Sequence, residues 1–434
     1  MNIETLYQLY SKEYLITTDS RNIQPGCIFI AIRGERFDGN VFAAKALENG
    51  AAYAIIDKKE CIRDERTIWV ENTLETFQKL ANYHRNKLGI PIVAITGTNG
   101  KTTTKELIRS VLEQRFKVSA TQGNLNNHIG VPVTLLSMTP DIELGVVEMG
   151  ANHPGEINQL CKIAEPNYGL ITNIGKAHLE GFGGFQGVIK AKRELYNYLI
   201  RNGRTIFFNS DNKILTDLLK DHQVKYVSYG LADKHCQGRM IASDPYLKME
   251  FTFQMANKPL KIQINTNLVG QYNAENIMAA VCVGLYFKVQ PEEIQKAIEH
   301  YVPTNNRSQL VNTEKNRLLL DYYNANPSST EAAIKNFLTL EGNNKVFILG
   351  DMLELGDESK TEHENILKIL SGLKDCKVLL VGKYYKELAP AFGFLVFSNS
   401  EELSVWLAKN PIEQSFVLIK GSRGVQLEKI VEKL

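Results

Sequence analysis

The feature that most constrains the fold is the segment PIVAITGTNGKTTTKELIRSV, residues 91–111. An apolar run, IVAIT, leads into a glycine-rich turn, and a segment with helical periodicity follows. This order predicts a buried strand, a loop and a helix. In such a unit the backbone amides of the loop and the positive N-terminal end of the helix dipole both face an anion. The usual phosphate-binding loop has four residues between its first Gly and the Gly-Lys-Ser/Thr. Here only Thr98 and Asn99 separate Gly97 from Gly100, so the loop is short.

The context of this short loop predicts a nucleotide site. Lys101 would bring a positive charge to the outer phosphates, and the Thr102 hydroxyl would bind Mg²⁺. The alternative is a glycine-containing turn without a ligand. The strand before it, the helix after it and Gly-Lys-Thr in register favour the phosphate loop.

The pattern of apolar runs divides the chain into three α/β domains. A chain of 434 residues is too long for one core. Residues 1–85 predict a small α/β unit, and residues 86–305 predict a larger one with a buried parallel sheet. In residues 306–434, four apolar strands with helices between them predict a Rossmann-like sheet.

Composition restricts the class of protein. Lys plus Arg is 50 and Asp plus Glu is 48, a net charge of +2, which argues against a nucleic-acid or membrane-surface protein. The first residues do not resemble a signal peptide, and no apolar run approaches the roughly 18 residues of a membrane span. The six cysteines form no C-x-x-C pair, which favours reduced thiols. We therefore expect a cytoplasmic protein without membrane insertion.

Polar side chains follow two strands of the predicted central sheet. Glu148 ends the run LGVVE, and His178 follows YGLITNIG. The carboxyl ends of parallel strands meet at one edge, where ligands bind, and a carboxylate there would hold Mg²⁺. A helix carrying Lys190, Lys192 and Arg193 follows His178. For each of these residues a purely structural role is the alternative, and the segments by themselves leave it open.

Further candidates lie later in the chain. Asn273 and Asn276 share one face at a helix start, where amides read a base edge or cap the helix. Arg307 is a candidate for the terminal phosphate, because a guanidinium binds it bidentately. Asp321 ends a predicted strand, and a polar loop with Asn324 and Asn326 follows it.

Together these segments resemble the Mur ligases, the ATP-dependent amide-forming enzymes of peptidoglycan synthesis. The matching stretches are PGCIFIAIRGERFDGN, GTNGKTTTKE, GNLNNHIGVPVTLL, VVEMGA, AHLEGFGGFQGVIKAKREL, GQYNAENIMAA, DYYNANPSS, LGDMLELG and KGSRGVQLEKIV. They run through all three predicted domains, and the short G-x-x-G-K-T loop is the family's own form. The resemblance implies a UDP-sugar-binding first domain, a central ATP-binding domain and a Rossmann-like third domain.

The resemblance also assigns residues. It implies ATP contacts at Gly97, Thr98, Asn99, Gly100, Lys101, Thr102, Thr103, Asn276, Arg307 and Asp321, with Asn276 at the adenine. Of two implied Mg²⁺ ions, Thr102 would bind one, and Glu148, His178 and Lys192 would form the site of the other. Lys192 matches a lysine that the family carries as a carbamate. The implied catalytic residues are Lys101, His178 and Lys192, with His178 a candidate general base. The implied substrate contacts are Ser20, Arg21, Asp38, Asn126, Asn127, Asn324 and Asn326.

The implied reaction joins D-alanyl-D-alanine to UDP-N-acetylmuramoyl-tripeptide through an acyl phosphate. NANP and GDMLELG are typical of this branch of the family. The alternative is the branch that adds the third amino acid to the dipeptide precursor, for which an Asp-Asn-Pro-Arg-like loop is expected. A folylpolyglutamate synthetase should lack IRGERFDGN, and a GTPase-like switch needs Asn-Lys-x-Asp and Asp-x-x-Gly loops that do not occur in suitable context. We expect the enzyme to act as a monomer.

Overall fold

The computed structural model describes residues 2–34, 37–233, 235–253, 260–304 and 306–434. The first unit contains α1 (Ile3–Tyr10), β1 (Ile16–Thr17), β2 (Ile28–Ile30), β3 (Arg33–Gly34), β4 (Phe37–Asp38), α2 (Ala43–Glu48), β5 (Tyr53–Ile56), β6 (Thr67–Trp69) and α3 (Thr73–Leu88). Strands β1, β2, β5 and β6 form a parallel sheet in that order, and β3 pairs with β4.

Helix α3 connects the first unit to the second. Asn72 caps its start by accepting from the Glu75 amide, and Gly89 ends it in the left-handed conformation. The Arg85 guanidinium donates to the carbonyl oxygens of Ala164 and Glu165 in the central unit, at 2.8 and 2.9 Å. The predicted limit at residue 85 therefore falls within a helix that packs on both units.

The central unit contains β7 (Ile92–Thr96), α4 (Lys101–Leu112), β8 (Val118–Ala120), α5 (Gly130–Leu136), β9 (Leu144–Glu148), α6 (Glu156–Ala164), β10 (Tyr168–Ile171), α7 (Leu179–Phe182), α8 (Phe185–Arg201), β11 (Thr205–Asn209), α9 (Lys213–Leu219) and β12 (Lys225–Tyr229). Its six strands are all parallel, in the order β12-β11-β10-β7-β9-β8. Every residue of β7 and β9 is buried, as expected for a sheet covered on both faces.

A second, antiparallel sheet follows, which the sequence analysis did not anticipate. It consists of β13 (Gln237–Ala242), β14 (Lys248–Phe253) and β15 (Leu260–Asn265), and it precedes α10 (Asn273–Tyr286) and α11 (Pro291–His300). Buried and less buried residues alternate along β14, the pattern of a strand with one solvated face. In the sequence, this alternation of apolar and polar residues was the signal that could have predicted the antiparallel sheet.

The last unit contains β16 (Gln309–Asn312), β17 (Arg317–Asp321), α12 (Pro327–Thr339), β18 (Lys345–Gly350), α13 (Ser359–Ser371), β19 (Lys377–Val381), α14 (Lys383–Leu388), β20 (Leu395–Phe397), α15 (Ser400–Lys409) and β21 (Phe416–Lys420). The sheet order is β16-β17-β21-β18-β19-β20, and β16 alone runs antiparallel to its neighbour. The four predicted strands form the centre. The edge strands β16 and β20 were missed because they are short and only partly buried.

Candidate active site

A cavity of about 690 Å³ lies where the central and last units meet. Its lining includes Thr98, Asn99, Gly100, Lys101, Thr102, Thr103, Asn126, Asn127, Glu148, His178, Asn276, Arg307, Asp321, Asn324 and Asn326. The fold thus brings the predicted phosphate loop together with side chains from more than two hundred positions later in the chain.

The loop between β7 and α4 is held by the end of β10. The Thr98 hydroxyl accepts from the Gly175 amide at 2.9 Å, and the Asn173 side chain accepts from the Asn99 amide at 3.0 Å. A Cβ atom on Gly97 would lie 2.0 Å from Thr172 Oγ1, and the φ of Gly97 is +144°. Only glycine satisfies both conditions, so the short loop is a constrained structure rather than a flexible turn.

Lys101 begins α4 and folds back over the loop. Its ammonium donates to the carbonyl oxygens of Gly97 and Thr98, at 2.9 and 3.0 Å. Burial lowers the pKa of Lys101, and the attraction of Glu148 opposes that effect. The first amides of a helix have no acceptor within the helix, so the charge and the free amides converge on the same side of the loop.

The Asn276 side chain packs against the phosphate loop and the start of α4. Its Oδ1 accepts from the Thr104 hydroxyl at 2.9 Å, and its Nδ2 donates to Asn273 Oδ1 at 2.8 Å. A Cβ atom on Gly100 would lie 2.5 Å from Asn276 Oδ1. Asn276 lines the cavity, but both ends of its amide are bonded within the protein. Its contact with adenine therefore stays a prediction.

Glu148 has an oxygen without a partner. The residue is 2% exposed, and Oε1 accepts from Asn126 Nδ2 at 2.8 Å. Among the described residues, buried Oε2 has no hydrogen-bond partner. An unpaired buried carboxylate oxygen is unfavourable in the protein alone, and the nearby cavity suits a cation. Asn126 therefore orients the carboxylate, and its contact with a substrate stays a prediction.

Lys192 lies on α8 and is 2% exposed. Burial, with further repulsion from Lys101, lowers the pKa of Lys192 to about 7. Its ammonium lies 5.3 Å from the ring of Phe182 and makes no hydrogen bond or ion pair within the described part of the chain. With this pKa a large fraction of the side chain is neutral near pH 7, and the neutral amine is the form that reacts with CO₂. Lys192 is not among the residues that line the cavity.

His178 connects the two units that form the cavity. Its Nδ1 lies 2.5 Å from Glu354 Oε2, and its φ of +50° places it in the left-handed region. The interaction with His178 lowers the pKa of Glu354. Nearby, Lys176 Nζ lies 2.5 Å from Glu362 Oε1. The His178 pair joins the loop after β10 to the loop after β18, and the Lys176 pair joins the same first loop to α13.

The last unit also contacts the phosphate loop directly. Asn326 caps α12 by accepting from the Ser329 amide, and its Nδ2 donates to Asn99 Oδ1 at 2.8 Å. Asp321 accepts from Lys420 Nζ at 2.8 Å and from the Ser308 amide at 3.2 Å. Asn324 is an exposed part of the same loop.

The Arg307 guanidinium carbon lies 3.8 Å from the centre of the Tyr323 ring. Arg307 lines the cavity, and within the described ranges its buried Nε has no hydrogen-bond partner. The sequence analysis selected Arg307 but not Tyr323.

The first-unit candidates do not line this cavity. Arg21 forms a two-bond pair with Asp19, and its side chain is 88% exposed; Ser20 lies in the same turn. Asp38 lies 2.6 Å from Lys58 Nζ, an interaction that lowers the pKa of Asp38 to about 2. Asn127 lines the cavity, but its Oδ1 accepts from the amides of Ile129 and Gly130 at the start of α5.

Sequence reasoning missed several lining residues. They are Glu156, Tyr272, Tyr323, Ser328 and Lys420. Lys420 ends the buried strand β21 and is itself 2% exposed, so the strand-end rule applied to Glu148 and Asp321 would have identified it. Tyr272 and Tyr323 had no comparable signal, because a tyrosine in a loop is compatible with many roles.

Among the described residues there is neither a cluster of metal-ligating side chains nor a helix that could span a membrane. No three His, Cys, Asp or Glu side chains are grouped closely enough to hold a metal ion. No helix in the described ranges has the length and apolar character needed to cross a membrane. Any ion at Glu148 would therefore need ligands of another kind as well.

The chain belongs to the Mur ligase family. Three family models match it in order: the Mur ligase family catalytic domain over residues 13–94, the Mur ligase middle domain over 95–284, and the Mur ligase glutamate ligase domain over 306–423. The matches extend through all three structural units.

Its relatives include the UDP-N-acetylmuramoyl-tripeptide–D-alanyl-D-alanine ligases of Bacillus subtilis and Escherichia coli. Each is 34% identical to the chain and aligns with 96% of it, covering 92% and 93% of the relative. Among solved structures, MurF from Acinetobacter baumannii superposes with a TM-score of 0.85 at 30% identity, over 96% of this chain and 92% of that one. MurF from Thermotoga maritima in complex with ADP gives 0.82 at 26% identity, over 96% of both chains.

Proposed function

We propose that the protein is an ATP-dependent ligase that joins D-alanyl-D-alanine to UDP-N-acetylmuramoyl-tripeptide in peptidoglycan precursor synthesis. The observation that supports this most strongly is the shared cavity, in which a phosphate loop and an unpaired buried carboxylate lie together. Relatives that cover almost the whole chain are named for this reaction.

The reaction begins when the tripeptide carboxylate attacks the γ-phosphorus of ATP. An acyl phosphate forms and ADP leaves. The neutral amine of D-alanyl-D-alanine then attacks the acyl carbon, and a tetrahedral intermediate collapses to the amide and inorganic phosphate. Lys101 and the loop amides stabilise the charge on the transferring phosphoryl group. For this, the Lys101 ammonium exchanges the carbonyl oxygens of Gly97 and Thr98 for phosphate oxygens.

The proton of the attacking amine needs an acceptor, and His178 is our candidate. Its position at the cavity, beside Glu354, supports this role. Closure of the last unit over the loop, through Asn326 and Asn99, keeps water from the acyl phosphate.

The donor set suits Mg²⁺. Glu148 with its unpaired Oε2, the Thr102 hydroxyl and His178 would hold two ions together with phosphate oxygens. When bound, Mg²⁺ neutralises the charge of the triphosphate and of the carboxylate that attacks it. The ADP complex of the Thermotoga relative supports the use of an adenine nucleotide.

Carbamylation of Lys192 is part of the proposal. Reaction of the neutral amine with CO₂ forms an N–C bond and releases one proton, which converts the side chain to an anion. A buried lysine without a hydrogen-bond partner in the described residues suits this change. The carbamate would add an anionic oxygen ligand to a site where the described His, Cys, Asp and Glu side chains form no group of three.

Substrate contacts divide between two regions. We assign the UDP end to Ser20, Arg21 and Asp38 in the first unit. We assign the peptide end to Asn126, Asn127, Asn324 and Asn326 at the cavity, with Asn276 at the adenine. We further propose that the protein is cytoplasmic, where ATP and the nucleotide precursor are available, and that it acts as a monomer.

A substrate-swap assay tests the function. Purified protein with ATP and Mg²⁺ receives UDP-N-acetylmuramoyl-tripeptide with D-alanyl-D-alanine, or the dipeptide precursor with single amino acids. We expect phosphate release and a new amide only in the first mixture, and none when either acceptor or donor is omitted. Product in the second mixture alone would replace our proposal with the other branch. A solved diaminopimelate-adding relative shares 17% identity, so it supports the common fold alone.

A further inference from the structure

The Arg307 guanidinium has an unusual environment for a cavity cation. Its carbon lies 3.8 Å from the centre of the Tyr323 ring, a stacking distance. Within the described ranges, no carboxylate pairs with it, and its buried Nε has no hydrogen-bond partner. Asp321, an acid that lines the same cavity, is already engaged by Lys420 and by the Ser308 amide.

The backbone around Arg307 is also fixed. Asn306 and Ser308 have φ values of +55° and +51°, a conformation that non-glycine residues seldom adopt. Ser308 is 5% exposed, and its hydroxyl lies 2.6 Å from the Tyr272 hydroxyl. The main chain therefore presents Arg307 in one direction, and the ring determines the plane of its guanidinium.

We propose that Tyr323 is a positioning residue that holds Arg307 flat and unpaired for the terminal phosphate of a nucleoside triphosphate. This inference rests on the proposed function. An aromatic ring attracts a guanidinium through its face and leaves the in-plane N–H donors free. A carboxylate in the same place would occupy those donors and neutralise the charge, so that a phosphate would have to displace it.

The test is a double-mutant cycle on Tyr323 and Arg307. Tyr323→Phe keeps the ring and should change kcat/KM for ATP by less than about twofold. Tyr323→Leu removes the ring and should lower it about tenfold, the order expected for a partly buried cation–π contact. In an Arg307→Ala background the same Leu substitution should add less than about twofold, because its effect is exerted through Arg307.

A second measurement separates positioning from general damage. Because Arg307 is assigned to the terminal phosphate, Tyr323→Leu should leave the affinity for ADP within about twofold, measured by calorimetry with Mg²⁺. If Tyr323→Leu lowered the affinities for ATP and ADP equally, the proposal would be overturned. It would also be overturned if Tyr323→Leu lowered kcat/KM for ATP equally in the wild-type and Arg307→Ala proteins. Thermal unfolding checks each variant, and Tyr323→Met replaces Tyr323→Leu if the latter does not fold.

The chain offers a matched control. The Lys383 ammonium lies 4.6 Å from the centre of the Tyr384 ring. This pair belongs to the last unit but does not line the cavity. Tyr384→Leu should leave kcat/KM for ATP unchanged, and a loss equal to that of Tyr323→Leu would overturn the assignment. If the wild-type protein forms no amide, the proposed function fails. The comparison of ATP and ADP affinities across the same variants still decides the role of Tyr323.

Discussion

The central cavity and the first unit both contain residues that the sequence analysis assigned to ligands, but their environments differ. Glu148 is 2% exposed, and two buried atoms at the cavity, Glu148 Oε2 and Arg307 Nε, have no hydrogen-bond partner among the described residues. In the first unit, Arg21 is 88% exposed and is paired with Asp19, and Asp38 is paired with Lys58. The cavity thus holds unsatisfied groups that require a ligand, whereas the first-unit groups are satisfied without one.

This difference predicts how strongly substitutions act. Removing a buried group that meets the reacting atoms changes transition-state stabilisation directly. Removing an exposed, locally paired group changes at most the binding of a remote part of the substrate. The predictions below test that ranking, from the largest expected effect to the smallest.

The largest effect is expected for Lys101→Ala. The substitution removes the charge nearest the transferring phosphate, so phosphate release with all substrates present should fall by at least about 100-fold. Single-turnover phosphate release measures the loss, and thermal unfolding verifies that the variant is folded. Turnover within about threefold of wild type would exclude the loop from the mechanism and reverse the ranking.

A large but recoverable loss is expected for Lys192→Ala. Without the carbamate, activity should fall about 10- to 100-fold, and added acetate or another short carboxylate should restore part of it. Lys101→Ala is the matched control, since acetate cannot replace a missing cation and should not help it. Activity unaffected by the substitution would refute the carbamate role. A loss that no short carboxylate reverses would count against it as well.

A small, substrate-specific effect is expected in the first unit. Arg21→Ala should raise the KM for the UDP-linked substrate about two- to fivefold and leave the KM for ATP unchanged, since an exposed charge contributes little. Arg66→Ala is a close control, because Arg66 pairs with Asp64 through the same three donors, the backbone amide, Nε and Nη2, as Arg21 with Asp19. Equal effects of the two substitutions would show that Arg21 has no special contact with the substrate.

The smallest effect on catalysis is expected at the junction between the two regions, where the prediction concerns stability. His84 is fully buried on α3, and its Nε2 lies 2.7 Å from the Met138 carbonyl oxygen. Burial lowers the pKa of His84 from 6.5, so below that pH the unfolded chain binds a proton that the folded chain does not. The free energy of unfolding should therefore fall as pH drops below about 6.5, by at most about 1.4 kcal/mol per pH unit.

Denaturant unfolding of wild type and His84→Gln at several pH values measures this contribution. The substitution should flatten the acid slope, while His222→Gln, at an exposed position, should leave it unchanged. Identical slopes for wild type and His84→Gln would show that the junction does not respond to this group.

Much of the architecture could be predicted from the sequence. The runs around β7, β9, β17, β18, β19 and β21 are continuous and apolar, and such strands form only in sheets covered on both faces. Glycine in the loop at residues 97–100 and polar residues at strand ends then place the phosphate site at one edge of the central sheet. The antiparallel sheet and the short edge strands gave weaker signals, because half-exposed strands of three to six residues resemble loops.

The sequence by itself determined the kinds of groups present, the phosphate loop and its family. Local periodicity and motif spacing are properties of neighbouring residues, so they can be read without coordinates. Only the tertiary structure decided which of those groups are unpaired, because no local pattern pairs Asn126 with Glu148 or Tyr323 with Arg307. Burial and partnership set the energy of a charged group, and both depend on the packing of all three units.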